Sequence, residues 1–98
     1  MYPKRPPFRS ESWRRAVASL PCVVCFREGP SQAAHANHLG KGMGMKASDC
    51  FTVPMCPEHH AEFDQGRTWS KQEKREMMER WILLTLEDLA REGLVGAK

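Results

Sequence analysis

The sequence predicts a small α+β domain that a metal ion holds together, and three observations support this prediction. The chain has 98 residues, which is enough for one domain but not for two. Cys22-x-x-Cys25 and Cys56-x-x-His59 are pairs with the spacing of zinc ligands. A strongly periodic segment near the C-terminus predicts a long helix. Short β-prone and helix-prone segments lie between these features.

The N-terminal part of the chain predicts an arm followed by a short helix. Residues 1–9 contain three prolines and no apolar periodicity, so we expect a flexible basic arm. The single domain then covers residues 10–98. "SESWRRAVASL" predicts a helix, with Ser10 or Ser12 as its cap and Pro21 beyond its end.

The metal-binding core is predicted over about residues 20–66. "CVVCFREGP" has the pattern of a strand-and-turn knuckle, and "FTVPM" has that of a short strand. Pro54 indicates that this strand is irregular or lies at an edge. "CPEHHAEFDQG" predicts a helix with Pro57 in its first turn and Gly66 at its end.

The C-terminal helix is predicted over about residues 70–92. Ser70 and Glu73 have the spacing of a capping box. We expect the apolar face to pack in the core or to mediate homo-oligomer formation. This face comprises Met78, Ile82, Leu86 and Leu89, broadened by Met77, Trp81 and Leu84.

Charge and cysteine content narrow the class of protein. Residues 1–21 carry five Lys/Arg against one Glu, a cluster that fits a phosphate backbone or a merely solubilising tail. The sequence has neither a long apolar run nor a secretory signal, so we expect a cytoplasmic protein. In a reducing compartment, closely spaced cysteines indicate metal binding more than disulfides.

Four ligands close a tetrahedral zinc site, so we expect Cys22, Cys25, Cys56 and His59 to hold a structural ion rather than a catalytic one. Cys50 is left over. Cys22 and Cys25 taken alone would also fit a dithiol redox protein, which would contain no stoichiometric zinc.

His60 and Asp64 form a second candidate site. They are four residues apart in the predicted helix and therefore lie on one face. An imidazole and a carboxylate at this spacing form half of a divalent-metal site that could polarise a phosphate. The alternative is an ordinary hydrogen-bonded surface pair.

In order, "CxxC", "AH", the glycine-rich "GMGMKASD", "VPMC" and "CPEHH" resemble the HNH endonucleases of the ββα-metal (His-Me finger) class, especially small zinc-containing phage and prophage nucleases. The resemblance covers about residues 13–69. It implies a β-hairpin followed by a helix, with DNA as the substrate and partner. It also implies His35 as the general base and Asp49 as an orienting group. His60 and Asp64 would hold a catalytic Mg²⁺ or Mn²⁺, beside the structural Zn²⁺.

Two departures from the family pattern leave alternatives open. The middle position of the motif has Asp49 where the family has asparagine, so Asn37 or His38 could fill part of that role. Many relatives have an acid or a histidine before the base, but this chain has Ala34.

His38 lies three residues after His35, and in an extended strand the two would point to opposite faces. We favour His35 as the base. Lys41 and Lys46 are candidates for contacts with the DNA backbone.

A second hypothesis is a non-catalytic zinc-binding adaptor for DNA or protein. It requires the zinc ligands and the basic arm, but neither His35 nor Asp64.

Overall fold

A computed structural model describes residues 6–36 and 47–95. Within those residues it contains three helices and one two-stranded antiparallel sheet, which confirms the predicted α+β class. The elements are α1 (Glu11–Ala18), β1 (Gln32–His35), β2 (Thr52–Met55), α2 (Pro57–Gln65) and α3 (Lys71–Arg91).

The helices begin and end where the local sequence predicted. Ser10 caps α1, with its hydroxyl accepting a hydrogen bond from the Trp13 N–H at 3.1 Å. Pro57 begins α2 and Gly66 is its C-cap. The capping box of Ser70 and Glu73 forms at the start of α3. These local signals fix where each helix meets the sheet.

The hairpin of β1 and β2 brings the middle of the chain together. His35, the last residue of β1, lies opposite Thr52, the first residue of β2. Pro54 is tolerated in β2, and its carbonyl accepts a hydrogen bond from the Val23 N–H at 2.8 Å. The cysteine knuckle is therefore attached to the outer side of β2.

The prediction of a strand within "CVVCFREGP" is wrong. The chain reverses too tightly there to stay extended, because the Phe26 N–H donates to the Cys22 carbonyl at 2.8 Å. The Cys22 N–H in turn donates to the Arg27 carbonyl at 3.0 Å. The knuckle is a set of turns, and the first strand begins only at Gln32.

Two apolar clusters fill the interior. The larger lies between the sheet, α2 and α3, and the smaller joins α1 to the C-terminal half of α3. The larger comprises Ala34, Ala36, Val53, Met55, Phe63 and Met78, and the smaller comprises Val17, Leu20 and Leu89.

The predicted apolar face of α3 is only partly correct. Met78 and Leu89 are buried, but Leu84 and Leu86 are each 47% exposed. At 100° per residue, Leu86 lies about 80° and Leu84 about 120° from the direction of Met78. The buried stripe is therefore narrower than the apolar pattern of the sequence. No helix within the described ranges is long and apolar enough to cross a bilayer.

Phe8 and Arg9, which were predicted to belong to the flexible arm, are held by hydrogen bonds in the structure. The Phe8 N–H donates to Ser48 Oγ at 2.9 Å, and the Phe8 carbonyl accepts from the Asp49 N–H at 2.8 Å. Arg9 Nη1 donates to the Ala47 carbonyl at 2.7 Å. This segment is therefore anchored to the residues that precede β2.

Candidate active site and metal centre

The four predicted zinc ligands meet between the knuckle and the start of α2. One ligand atom from each of Cys22, Cys25, Cys56 and His59 lies within 4.8 Å of the others. His59 Nδ1 is 3.2 Å from Cys56 Sγ and 3.9 Å from Cys22 Sγ. Tetrahedral zinc with ordinary bond lengths requires ligand atoms about 3.5 to 3.8 Å apart. The cluster could therefore hold a metal ion such as zinc.

The environment of Cys22 favours the thiolate form that binds metals. Burial raises the pKa of its thiol, but backbone N–H groups of Cys56, Cys25 and Val24 outweigh this effect and lower the pKa to about 6. The remaining cysteine, Cys50, lies outside the cluster, and burial raises the pKa of its thiol.

His35 and Asp49, which are 14 residues apart, form a direct pair. His35 Nε2 is 2.8 Å from Asp49 Oδ1. Asp49 is only 2% exposed, whereas His35 is partly accessible at the end of β1. Because Asp49 is ionised, it acts as the acceptor and fixes the hydrogen of the ring on Nε2. The other ring nitrogen, Nδ1, is left able to accept a proton.

Three further groups hold Asp49, two from the N-terminal segment before α1 and one from α1 itself. The Ser10 N–H donates to Oδ2 at 2.8 Å, Arg14 Nε lies 3.1 Å from Oδ2, and Arg9 Nη1 lies 3.2 Å from Oδ1. Burial alone would raise the pKa of Asp49, but the hydrogen bonds from His35 and Ser10 and the charge of Arg14 hold it below its ordinary value.

No local pattern marks Arg9 or Arg14 as residues of the site. The related signal in the sequence is the clustered basic charge before residue 21, which predicts only a phosphate contact or a solubilising tail.

His60 and Asp64 also meet, one turn apart on α2. His60 Nε2 is 3.3 Å from Asp64 Oδ2. His60 Nδ1 is 2.7 Å from Gln32 Oε1, on β1. If the amide oxygen is the acceptor, Nδ1 carries the hydrogen and Nε2 is left as the ligand atom. Gln32 was not predicted, because no local pattern relates it to a histidine 28 residues further along the chain.

One cavity joins the two pairs. It has a volume of about 560 Å³, and His35, His60 and Asp64 all line it. Its opposite wall is the face of α1 that carries Arg14 and Arg15. The predicted base and the predicted metal pair therefore face the same space, at the junction of α1, β1 and α2.

A second cavity, of about 210 Å³, adjoins the first. His35 and Asp64 line both cavities. The other side of the second cavity is α3, from which Lys71, Lys74 and Arg75 contribute. The region around His35 and Asp64 thus opens in two directions, towards α1 and towards α3.

Several predicted residues lie outside the described ranges. They are Asn37, His38, Lys41 and Lys46. The choice between His35 and His38 therefore rests on the contacts of His35, and the two lysines stay predictions.

Comparison with known proteins identifies the family. The family model described as "Protein of unknown function (DUF968)" matches residues 1–86, so the chain belongs to this family. The chain is also similar to the uncharacterized protein YdfU of Escherichia coli (strain K12), with 37% identity over 60 residues. Those residues are 61% of this chain but only 17% of YdfU. No solved structure matches the chain.

Proposed function

We propose that this protein is a metal-dependent endonuclease of the HNH type that hydrolyses phosphodiester bonds in DNA. In this proposal β1, β2 and α2 are the ββα-metal finger. The observation that carries it is the shared cavity, because His35, oriented by a buried carboxylate, faces the same space as the His60 and Asp64 pair. A base beside a divalent-metal site is the combination that phosphodiester hydrolysis requires.

In the proposed reaction His35 is the general base. Its Nδ1 accepts a proton from the attacking water, while its Nε2–H stays bonded to Asp49. The ionised carboxylate of Asp49 stabilises the positive imidazolium that results. Arg14 and the Ser10 N–H keep Asp49 ionised and in place. Asp49 is thus a positioning residue, which acts on the reaction through His35.

His60 and Asp64 fit a divalent cation of the Mg²⁺ or Mn²⁺ kind. The contact with Gln32 orients the His60 ring in the way that ligating histidines are usually held. The carboxylate of Asp64 supplies a hard oxygen ligand. When bound, such a cation would stabilise negative charge on the phosphate and on the leaving oxygen. Two protein ligands leave the remaining positions of the cation open to water and substrate.

The Cys22, Cys25, Cys56 and His59 cluster has a different role in this proposal. All four ligands come from the protein, so the zinc would be structural. The grouping of these cysteines for a metal ion also supports a cytoplasmic location, where disulfides are rare.

Plasmid cleavage tests the proposal. Supercoiled plasmid is incubated with wild-type protein in Mg²⁺, in Mn²⁺ or in EDTA, and the same series is run with His35→Ala. We expect nicked or linear product with a divalent cation and wild-type protein. Loss of the base should reduce the rate about 10² to 10⁴-fold.

Arg80→Gln is the matched control, since Arg80 is exposed on α3 and lines neither cavity. It should cut at the wild-type rate. The proposal fails if wild-type protein cuts in none of the metals, or if His35→Ala cuts as fast as wild type. DNA binding without cleavage would instead support the adaptor hypothesis.

A further inference from the structure

We propose that the α3 cationic face, formed by Lys71, Lys74 and Arg75, binds the phosphate backbone of duplex DNA next to the bond that is cut. This inference rests on the proposed function and adds the direction in which the bound duplex extends from the active site.

The three cations form one continuous face. Residues at positions i, i+3 and i+4 lie on the same side of a helix, and all three line the cavity that also contains His35 and Asp64. Lys71 and Arg75 are exposed. Lys74 is half-buried, with its Nζ 3.3 Å from the Gly66 carbonyl and 5.7 Å from the centre of the Phe63 ring.

Two acidic residues of the same helical segment, Glu73 and Glu76, point elsewhere, and Glu79, one turn beyond Arg75, is not among the residues that line this cavity. At 100° per residue, Glu73 and Glu76 lie about 200° and 140° from Lys71. Glu73 is bonded to the Ser70 N–H at 2.8 Å and Glu76 to the Gln72 amide at 3.3 Å. Among the described residues that line this cavity, Asp64 is the single carboxylate. A divalent cation on Asp64 would leave the three positive charges uncompensated.

The α1 side of the active site differs from the α3 side. Its two arginines are already paired with carboxylates, Arg14 with the buried Asp49 at 3.1 Å and Arg15 with Glu11 at 2.6 Å. In contrast, Lys71 and Arg75 form no ion pair within the described ranges. A polyanion should therefore bind more favourably over α3, where it meets unpaired cations, than over α1, where it would have to compete with existing ion pairs. The regular negative charge of duplex DNA matches such a face, and phosphate contacts position the duplex without reading its sequence.

The test is DNA binding as a function of salt, without added divalent cation so that the duplex stays intact. Wild type is compared with Lys71→Gln, Arg75→Gln and the double variant by fluorescence anisotropy on two short duplexes of unrelated sequence. Each phosphate contact contributes about 0.9 to the slope of log K against log salt. We expect the slope to fall by about 1 for each single variant and by about 2 for the double variant.

Affinity should fall in parallel on both duplexes. At about 0.1 M salt the double variant should bind roughly tenfold to sixtyfold more weakly, because the contribution of two contacts is lost. Arg80→Gln is the control on the opposite face of α3, about 180° from Lys71, and it should keep the wild-type slope. Arg15→Gln should change the slope less than either α3 variant, because Arg15 is already paired.

Two results would overturn this inference. One is wild-type protein that does not bind duplex DNA. The other is a double variant whose affinity and slope match those of Arg80→Gln. Neither depends on cleavage, so failure of the cationic face and failure of the nuclease proposal are separately visible. Circular dichroism of each variant checks that these exposed substitutions leave the fold intact.

Discussion

Three separate parts of the chain contact the carboxylate of Asp49 through hydrogen bonds or ion pairs, and this explains how a carboxylate that is 2% exposed can stay ionised. His35 comes from the first strand, Ser10 and Arg9 from the N-terminal segment, and Arg14 from the first helix. A buried carboxylate is costly unless its acceptor sites are satisfied. The same contacts that satisfy Asp49 also tie the N-terminal segment to the candidate active site.

Substituting Asp49 by Asn should remove a stabilising contribution that depends on pH. The pKa of Asp49 is lower in the folded protein than in the unfolded chain. Its contribution is therefore complete above the unfolded value of about 4 and is lost as pH falls through the folded value. We expect the free energy of unfolding near neutral pH to fall by about 2 kcal/mol in the variant. Urea unfolding from about pH 7 down to about pH 3 measures this difference.

The difference between wild type and Asp49→Asn should shrink as the solution becomes more acidic. Any acid sensitivity of the Cys/His cluster is the same in both proteins, so it cancels in the difference between their free energies of unfolding. A difference that stays constant across the whole pH range would show that Asp49 is not held ionised in the way described.

At the residue scale the sequence predicted those contacts that a local motif marks. The grouping of the three cysteines with His59 follows from two short pairs with known spacing, and the contact between His60 and Asp64 follows from helical periodicity. Gln32 and Arg14 carry no such mark. They contact the site residues because folding brings distant segments together, and a local sequence pattern cannot predict such contacts.

At the scale of elements, α3 shows that a balanced net charge does not reveal where the individual charges lie. Residues 70–98 contain six basic and six acidic residues, which indicated no preference for an anion. Three of the basic residues, Lys71, Lys74 and Arg75, nevertheless lie together at one cavity. Their spacing of three and four residues is present in the sequence. Its meaning became visible only once the side of the helix that faces His35 was known.

The buried stripe of the same helix contains a polar group without a partner. Thr85 is 3% exposed, and its Oγ1 has no hydrogen-bond partner among the described residues. Valine has a similar shape and no hydroxyl to desolvate, so Thr85→Val should raise the free energy of unfolding by about 1 kcal/mol. Urea denaturation at neutral pH measures this change. A destabilised variant would mean that the hydroxyl does have a partner.

At the scale of the whole molecule, the cluster of Cys22, Cys25, Cys56 and His59 joins the knuckle to the start of α2. The knuckle contacts β2 through Val23, and the start of α2 supplies Cys56 and His59. A domain of this size has a modest core, so a metal ion bound at this cluster would contribute a large share of its stability.

Replacing a cluster cysteine should therefore affect the whole fold. Cys56→Ser should bind less than stoichiometric zinc and lose several kcal/mol of stability. Cys50→Ser is the matched control, since Cys50 lies outside the cluster, and it should keep both zinc and stability. Elemental analysis and thermal unfolding report the two quantities. Equal zinc content in both variants would contradict the assignment of the cluster.

The overall architecture followed from the sequence more fully than its details did. Caps, prolines and glycines marked the three helices, because these signals act within a few residues. The absent strand in the knuckle and the exposed Leu84 and Leu86 were not foreseen. A short apolar segment between two cysteines has the same residues whether it is extended or turned. An apolar helix face likewise has the same sequence whether or not a neighbouring element covers it.

The central claim is that His35 is the base of a metal-dependent nuclease, and chemical rescue tests it most directly. In the plasmid assay with Mg²⁺ or Mn²⁺, imidazole in solution can take the place of the missing ring in His35→Ala. It cannot replace the carboxylate of Asp64→Ala. We expect wild-type protein to cut, both variants to be inactive, and added imidazole to restore cutting by His35→Ala alone. Full activity of His35→Ala without imidazole, or no cutting by wild type in either metal, would contradict the claim.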